Sequence, residues 1–325
     1  MNAPQSIDRS GEGVTPASVL RPEVLAWRAY HVADSVGMVK LDAMENPYAL
    51  PADLQRVLGE ALAKAAINRY PDPSPASLKA LLRTKLGLPP EAEILLGNGS
   101  DEIIQILCQA VARAGAVVMG VEPSFVMYRV SAAAAGLRYE GVQLRPDFSI
   151  DEAALNAAID EHQPALLFLA CPNNPTGNLF DREVVRRVIA RAPGLVVIDE
   201  AYHAFANATY LGEIARARNV VVMRTLSKLG LAGLRLGFLV GTAEWLGELD
   251  KLRLPYNVNA LTQIAATVAL EHLDVLTDQA RAILAERSPL ATALAELPGV
   301  TVFPSDANFI TFRVPSAIGT FAGLK

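Results

Sequence analysis

Leu195-Val-Val-Ile-Asp-Glu-Ala-Tyr202 and the later stretch Val220-Val-Val-Met-Arg-Thr-Leu-Ser-Lys228 decide the fold. Each is a short run of apolar residues followed by a polar cluster. A run that is apolar at every position is the pattern of a strand buried on both faces. The polar residues at its end stand where open α/β sheets bind ligands. Similar runs lie at Glu93 to Leu96, Ala116 to Gly120, Ala165 to Ala170 and Leu236 to Val240. Between them, Ser100 to Arg113, Asp151 to Glu161 and Asp181 to Ala192 read as amphipathic helices that open on capping residues. The alternation predicts an α/β unit, a three-layer structure whose mostly parallel sheet is covered by helices. Outside it the rhythm changes. A helix at Pro22 to His31 precedes a short strand at Met38 to Leu41 and a turn holding Glu45, Asn46 and Pro47. After Asp274 to Leu297, a long helix, come strands Val300 to Phe303 and Phe309 to Val314 and a helix starting near Ser316. The sequence thus predicts an N-terminal arm and part of a small domain (1–50), a large domain (51–273), and a C-terminal small domain (274–325) that lacks a returning element. The smaller α+β domain draws on both chain ends.

Of the 325 residues 51% are hydrophobic and 19% charged, enough to bury a large core and far from the composition of a disordered chain. A net charge of −5 with no long basic run offers no footprint for nucleic acid or anionic lipid. The apolar runs fall short of the roughly 20 residues that cross a bilayer, and the first twenty residues contain no apolar core of a signal peptide. The expectation is a cytoplasmic protein with neither membrane nor nucleic-acid partner. Cys108 and Cys171 stand singly and the four histidines are scattered, so both thiols read as reduced core residues and no metal site is expected.

Four loops at predicted strand ends carry the chemistry. Gly97-Asn98-Gly99-Ser100-Asp101-Glu102 turns tightly and opens a helix whose free N–H groups favour an anion; it reads equally as an ordinary strand-to-helix turn capped by Ser or Asp. Cys171-Pro-Asn-Asn-Pro-Thr-Gly177 aims an amide from a stiffened turn, or is only a turn. Asp199 places a carboxylate at a strand end, and Thr225-Leu-Ser-Lys228 places an amine there before a glycine-rich link to Arg235. Alone, each has an ordinary structural reading. Together, a phosphate cradle, an amide, a carboxylate and a lysine are the parts that hold pyridoxal phosphate.

In order and wording these motifs resemble the fold-type-I pyridoxal-phosphate aminotransferases, most closely the histidinol-phosphate aminotransferases, from about Val39 to Arg313. The resemblance implies that Lys228 forms the Schiff base with pyridoxal 5'-phosphate and shuttles the proton. It implies that Asp199 pairs with the pyridinium nitrogen and that Asn174 and Tyr202 hold the phenolic oxygen. Ser100, Asp101, Ser227 and Arg235 would hold the phosphate, and Phe125 would stack on the ring. Asn46 and Tyr128 would line the substrate side. Tyr70, within Asn68-Arg-Tyr-Pro71, would cross to the neighbouring subunit's site, which implies a homodimer. The implied reaction converts L-histidinol phosphate and 2-oxoglutarate to imidazole-acetol phosphate and L-glutamate, in histidine biosynthesis.

Two departures from the family pattern stand out. Met44 precedes Glu45-Asn-Pro47 where the family often has asparagine. The arginine that grips the substrate carboxylate belongs to a later segment, so the sequence is expected to be a shortened version of a longer enzyme, and Arg313 is not that arginine. An aromatic or broad-range aminotransferase, a phosphothreonine decarboxylase-like lyase and a non-catalytic pyridoxal-phosphate sensor share the cofactor motifs and stay open here.

Overall fold

In the computed structural model, which describes residues 14–29 and 36–324, seven strands form one sheet. They are Glu93–Asn98 (β1), Val117–Glu122 (β2), Arg138–Gln143 (β3), Leu166–Ala170 (β4), Leu195–Asp199 (β5), Val220–Thr225 (β6) and Leu236–Gly241 (β7). Their order is β1-β7-β6-β5-β4-β2-β3. Neighbours from β6 through β5, β4 and β2 to β3 run parallel, whereas β7 is antiparallel to both β6 and β1.

The sheet is buried on both faces because alternate residues of each strand feed different cores. Ile94, Leu96, Leu167, Leu169, Val196, Ile198 and Val222 point to one, beneath helices Ala76–Lys85, Glu152–His162, Arg182–Arg191 and Ala260–Glu271. Leu95, Val118, Leu166, Phe168, Val197, Val221 and Met223 point to the other, beneath Ser100–Ala110, Met127–Ala134 and Ala243–Asp250. This is the expected three-layer α/β arrangement. Helix starts are set by side chains: Asp181 Oδ1 accepts from the N–H groups of Glu183 (2.8 Å) and Val184 (3.0 Å), and Asp151 Oδ1 from that of Ala154 (3.1 Å).

Two compact units divide the chain, Met1–Val39 and Lys40–Lys325. The described part of the first holds two short helices, Pro16–Val19 and Pro22–Ala26, so the helix expected to reach His31 is shorter; residues 30 and 31 lie outside the described residues. The strand expected at Met38 to Leu41 does not form. Val39 and Leu41 are largely exposed, and no described strand pairs with this segment to close its ladder.

In the second unit, helix Leu273–Ala295 leads to a separate antiparallel pair, Thr301–Val302 (β8) with Phe312–Arg313 (β9), and to helix Ala317–Leu324. Residues near the start of this unit are bonded to those elements. Asn46 Nδ2 donates to Gln279 Oε1 (2.9 Å), Gln279 Nε2 to Ala49 O (2.9 Å), and Asn308 Nδ2 to Met44 O (3.0 Å).

Candidate active site

Strand order and direction bring the four loops together. β4, β5 and β6 are parallel neighbours, so the turns after Ala170, Asp199 and Thr225 leave from the same edge of the sheet. β7 runs the other way and therefore begins at that edge. Its first residue Leu236 pairs with Asn98, the last residue of β1, which sets Arg235 beside the 99–101 turn.

Asp199 is 4% exposed. Its Oδ2 accepts from the Tyr128 hydroxyl (2.7 Å) and its Oδ1 from the Ala201 N–H (2.9 Å). Burial pushes its pKa up from 3.8 to about 6, against the pull of those two donors and helped by the negative charges of Asp101 and Glu200. A buried acid whose charged neighbours are themselves acidic is a receptor for a cationic N–H.

Lys228 is half-buried, and its Nζ donates to Ala43 O (2.7 Å) and stands 5.7 Å from the centre of the Tyr202 ring. Desolvation holds its pKa below the ordinary lysine value, with Arg235 and Lys40 pushing the same way and Glu45 and Asp101 opposing. Tyr202 is buried, and its hydroxyl accepts from Asn174 Nδ2 (3.2 Å).

At the helix entrance Ser100 is the first helical residue and Gly99 the cap, at φ 82°, and no side chain caps the first N–H groups. The reading of this loop as a Ser- or Asp-capped turn is therefore not realised, and the first N–H groups of the helix are left without a side-chain cap. The Arg235 guanidinium lies across the turn, with Nη2 2.9 Å from Asp101 Oδ2 and so close to Gly99 that a Cβ there would come within 2.6 Å. Ser227 is buried in its own turn: its N–H donates to Thr225 Oγ1 (3.1 Å), which also lies 2.9 Å from Ser227 Oγ.

The remaining predicted residues sit in different surroundings. Phe125 is partly buried with its ring edge-on to Tyr128, centroids 5.6 Å apart. Tyr128, expected on the substrate side, is fully buried, stacked on Phe168 and bonded to Asp199, because its helix packs face-down on the sheet. Asn46 spends its amide on Gln279 and on Leu229 O (3.4 Å). Tyr70 is 80% exposed and stacked on Tyr256, centroids 4.5 Å apart.

Three residues escaped the sequence reading. Asn173, fully buried, donates to Pro123 O (3.0 Å) and Thr176 Oγ1 (2.8 Å) and accepts from Ser124 Oγ (2.8 Å), tying two loops of the site together. Nothing in Asn173-Asn174 says which amide turns inward. Glu200 and Arg224 form a buried ion pair, Nη2 to Oε2 2.8 Å, and Glu200 Oε2 also accepts from Thr209 Oγ1 (3.0 Å). Each directly adjoins a strand end of the site, Asp199 on one side and Thr225 on the other. The arginine in Met223-Arg-Thr225, lodged in an apolar strand, was the one available signal.

Residues 36–320 match the family described as aminotransferase class I and II. The chain is 54% identical over 311 residues to histidinol-phosphate aminotransferase 1 of Burkholderia lata, covering 95% of this chain and 87% of that one. It is 51% identical over 312 residues to the histidinol-phosphate aminotransferase of Chromobacterium violaceum, covering 96% and 88%. Among solved structures, it superposes with a TM-score of 0.80 and 27% identity on histidinol-phosphate aminotransferase from Sinorhizobium meliloti in complex with pyridoxal-5'-phosphate, covering 92% of this chain and 83% of that one.

Proposed function

We propose, on the premise that the chain belongs to the class I and II aminotransferase family, that it moves the amino group of L-histidinol phosphate to 2-oxoglutarate, yielding imidazole-acetol phosphate and L-glutamate. The observation that carries this reading is the convergence at one sheet edge of a desolvated lysine amine, a buried acid whose hydrogen bonds come from a tyrosine hydroxyl and a backbone amide, and a helix N-terminus without a side-chain cap, overlaid by an arginine. Those residues fit pyridoxal 5'-phosphate, the family's cofactor.

When bound, the cofactor supplies an electrophilic aldehyde and an electron-withdrawing ring. The backbone amides at Ser100 and Asp101, with Ser227 and Arg235, would hold its phosphate. Asp199 would hold a proton on the ring nitrogen, and Asn174 and Tyr202 would orient the phenolic oxygen. Phe125 would cover one face of the ring and exclude water. Lys228, whose proton affinity burial lowers, would act as nucleophile through its Nζ and then take the proton from the substrate Cα.

The same reading extends to the assembly and location of the protein. A homodimer is supported by the exposed apolar surface of Ile67, Tyr70, Leu254 and Tyr256, from which Tyr70 would reach the neighbouring site. Residues 51–273 would form the cofactor-holding domain. The bonds of Met44, Asn46 and Ala49 to the 273–308 region support joining residues 40–50 with 274–325 in the small domain. No helix among the described residues is long and apolar enough to cross a membrane, and the cytoplasm is the proposed location.

The test is direct. Purified protein supplied with L-histidinol phosphate, 2-oxoglutarate and the cofactor forms glutamate, and the Lys228→Ala variant does not. Absence of glutamate from the unaltered protein refutes the reading, as does turnover by the variant at the unaltered rate.

A further inference from the structure

We infer that Tyr128 is a positioning residue that acts through Asp199, its buried hydroxyl holding that carboxylate ionised and oriented toward the cofactor's ring nitrogen. The inference rests on the functional reading above and deepens it. Tyr128 is 0% exposed, so it presents no surface to a substrate. Its ring is fixed from two sides, nearly parallel to Phe168 with centroids 4.4 Å apart and edge-on to Phe125. That clamp leaves the hydroxyl one direction, and it meets Asp199 Oδ2 at 2.7 Å. With the Ala201 N–H on Oδ1 at 2.9 Å, both carboxylate oxygens are tethered and the plane of the group is set.

A phenol beside a carboxylate can only donate, and burial and the charge of Asp199 together push the Tyr128 pKa well above its ordinary value. The hydrogen bond therefore favours the ionised acid. Among the described residues, titratable groups that interact with Asp199 include Asp101 from the Ser100–Ala110 helix, Glu200 and Tyr202 from its own strand end, and Cys171 from the end of β4. Both carboxylates among them disfavour the charge. Within this set Tyr128 and the Ala201 amide are the groups that oppose burial. Tyr128 also touches Phe125, so one side chain braces both the acid and the residue proposed to cover the ring.

Removal of the hydroxyl makes Asp199 more basic and draws the proton from the ring nitrogen. A ring that has lost that proton repels a proton at Lys228 Nζ less. In Tyr128→Phe the pH midpoint of the bound cofactor's visible absorption should rise by roughly one unit, cofactor affinity should weaken by roughly tenfold, and kcat should fall about as much with KM nearly unchanged. Phe168→Leu, which loosens the same packing and keeps the hydroxyl, should leave the midpoint in place. In an Asp199→Asn background, Tyr128→Phe should move neither midpoint nor affinity, since the partner through which it acts is gone.

An unchanged midpoint and affinity in Tyr128→Phe overturns the inference, as does an equal effect in the Asp199→Asn background. Should Tyr128→Phe not fold, 3-fluorotyrosine at position 128 replaces it. Its more acidic hydroxyl strengthens the bond and must move the midpoint down, and an unmoved midpoint is again a refutation. Failure of the unaltered protein to bind the cofactor would instead overturn the functional reading, so the two failures are distinct.

Discussion

Replacing Asp199 with asparagine should make the cofactor-free protein more stable while crippling its function. The carboxyl is buried and its pKa raised from 3.8 to about 6, chiefly by desolvation. A raised acid holds in the folded state a proton that the unfolded chain releases, so stability falls as pH rises from 3.8 to 6 and the loss is complete above that window. At about 1.36 kcal/mol per pH unit, the gap of about two units amounts to about 3 kcal/mol at pH 8 and to about 1 kcal/mol at pH 4.5. Asparagine carries no charge and escapes the loss, and its side-chain oxygen can still accept from the Ala201 N–H. Buried His203 acts in the opposite sense. Burial, reinforced by Arg224, lowers its pKa to about 3, so its contribution is lost as pH falls below 6.5. His203 is common to both proteins and cancels in their difference. Urea unfolding of both cofactor-free proteins at pH 4.5 and pH 8 reads that difference. With cofactor added the order should reverse, because binding stabilises the unaltered protein by mass action. An asparagine variant less stable at pH 8, or a difference equal at the two pH values, refutes the reasoning.

Arg224→Met leaves Glu200 charged, buried and unpaired, and should cost about 3–5 kcal/mol in urea unfolding; adding Glu200→Leu should recover most of it, since the second change removes the stranded charge. Gly99→Ala places a side chain at φ 82° and a Cβ within 2.6 Å of Arg235 Nη2, which must shift, so cofactor affinity should fall by roughly tenfold or more in an absorbance titration with little change in the far-ultraviolet circular dichroism. Lys228→Ala should bind the cofactor without the spectral signature of a lysine linkage and should show no transamination in a glutamate assay.

The sheet was legible because burial on both faces leaves no freedom in composition: Leu166–Ala170 and Leu195–Asp199 are apolar almost to the last residue. Arg138–Gln143 was missed for the converse reason. It is an edge strand, paired only to β2 among the described strands, and its Arg-Tyr-Glu-Gly-Val-Gln sequence is half exposed. Met38 to Leu41 failed in the other direction, since β-branched and apolar residues promise a strand only where a partner is at hand. The chemistry-bearing side chains lie on strand-end loops, and loop position follows from strand order, so their convergence could be anticipated. What a loop side chain faces depends on distant residues, and so the bond of Tyr128 to Asp199, 71 positions away, had no local trace. The same holds for Asn173, whereas Arg235, which the resemblance set with Ser100 and Asp101, owes its place beside Gly99 to the antiparallel direction of β7.

That reversed strand also sets a schedule for synthesis. Among the described strands β1 pairs with β7 alone, and its register runs Glu93 to Gly241 through Asn98 to Leu236. A ribosome adding 5–20 residues per second takes roughly 7–28 s to travel from one strand to the other. For that interval Ile94, Leu95 and Leu96 belong to a nascent polypeptide that has not yet made their hydrogen-bonding mate, a stretch on which chaperone capture or premature aggregation would act.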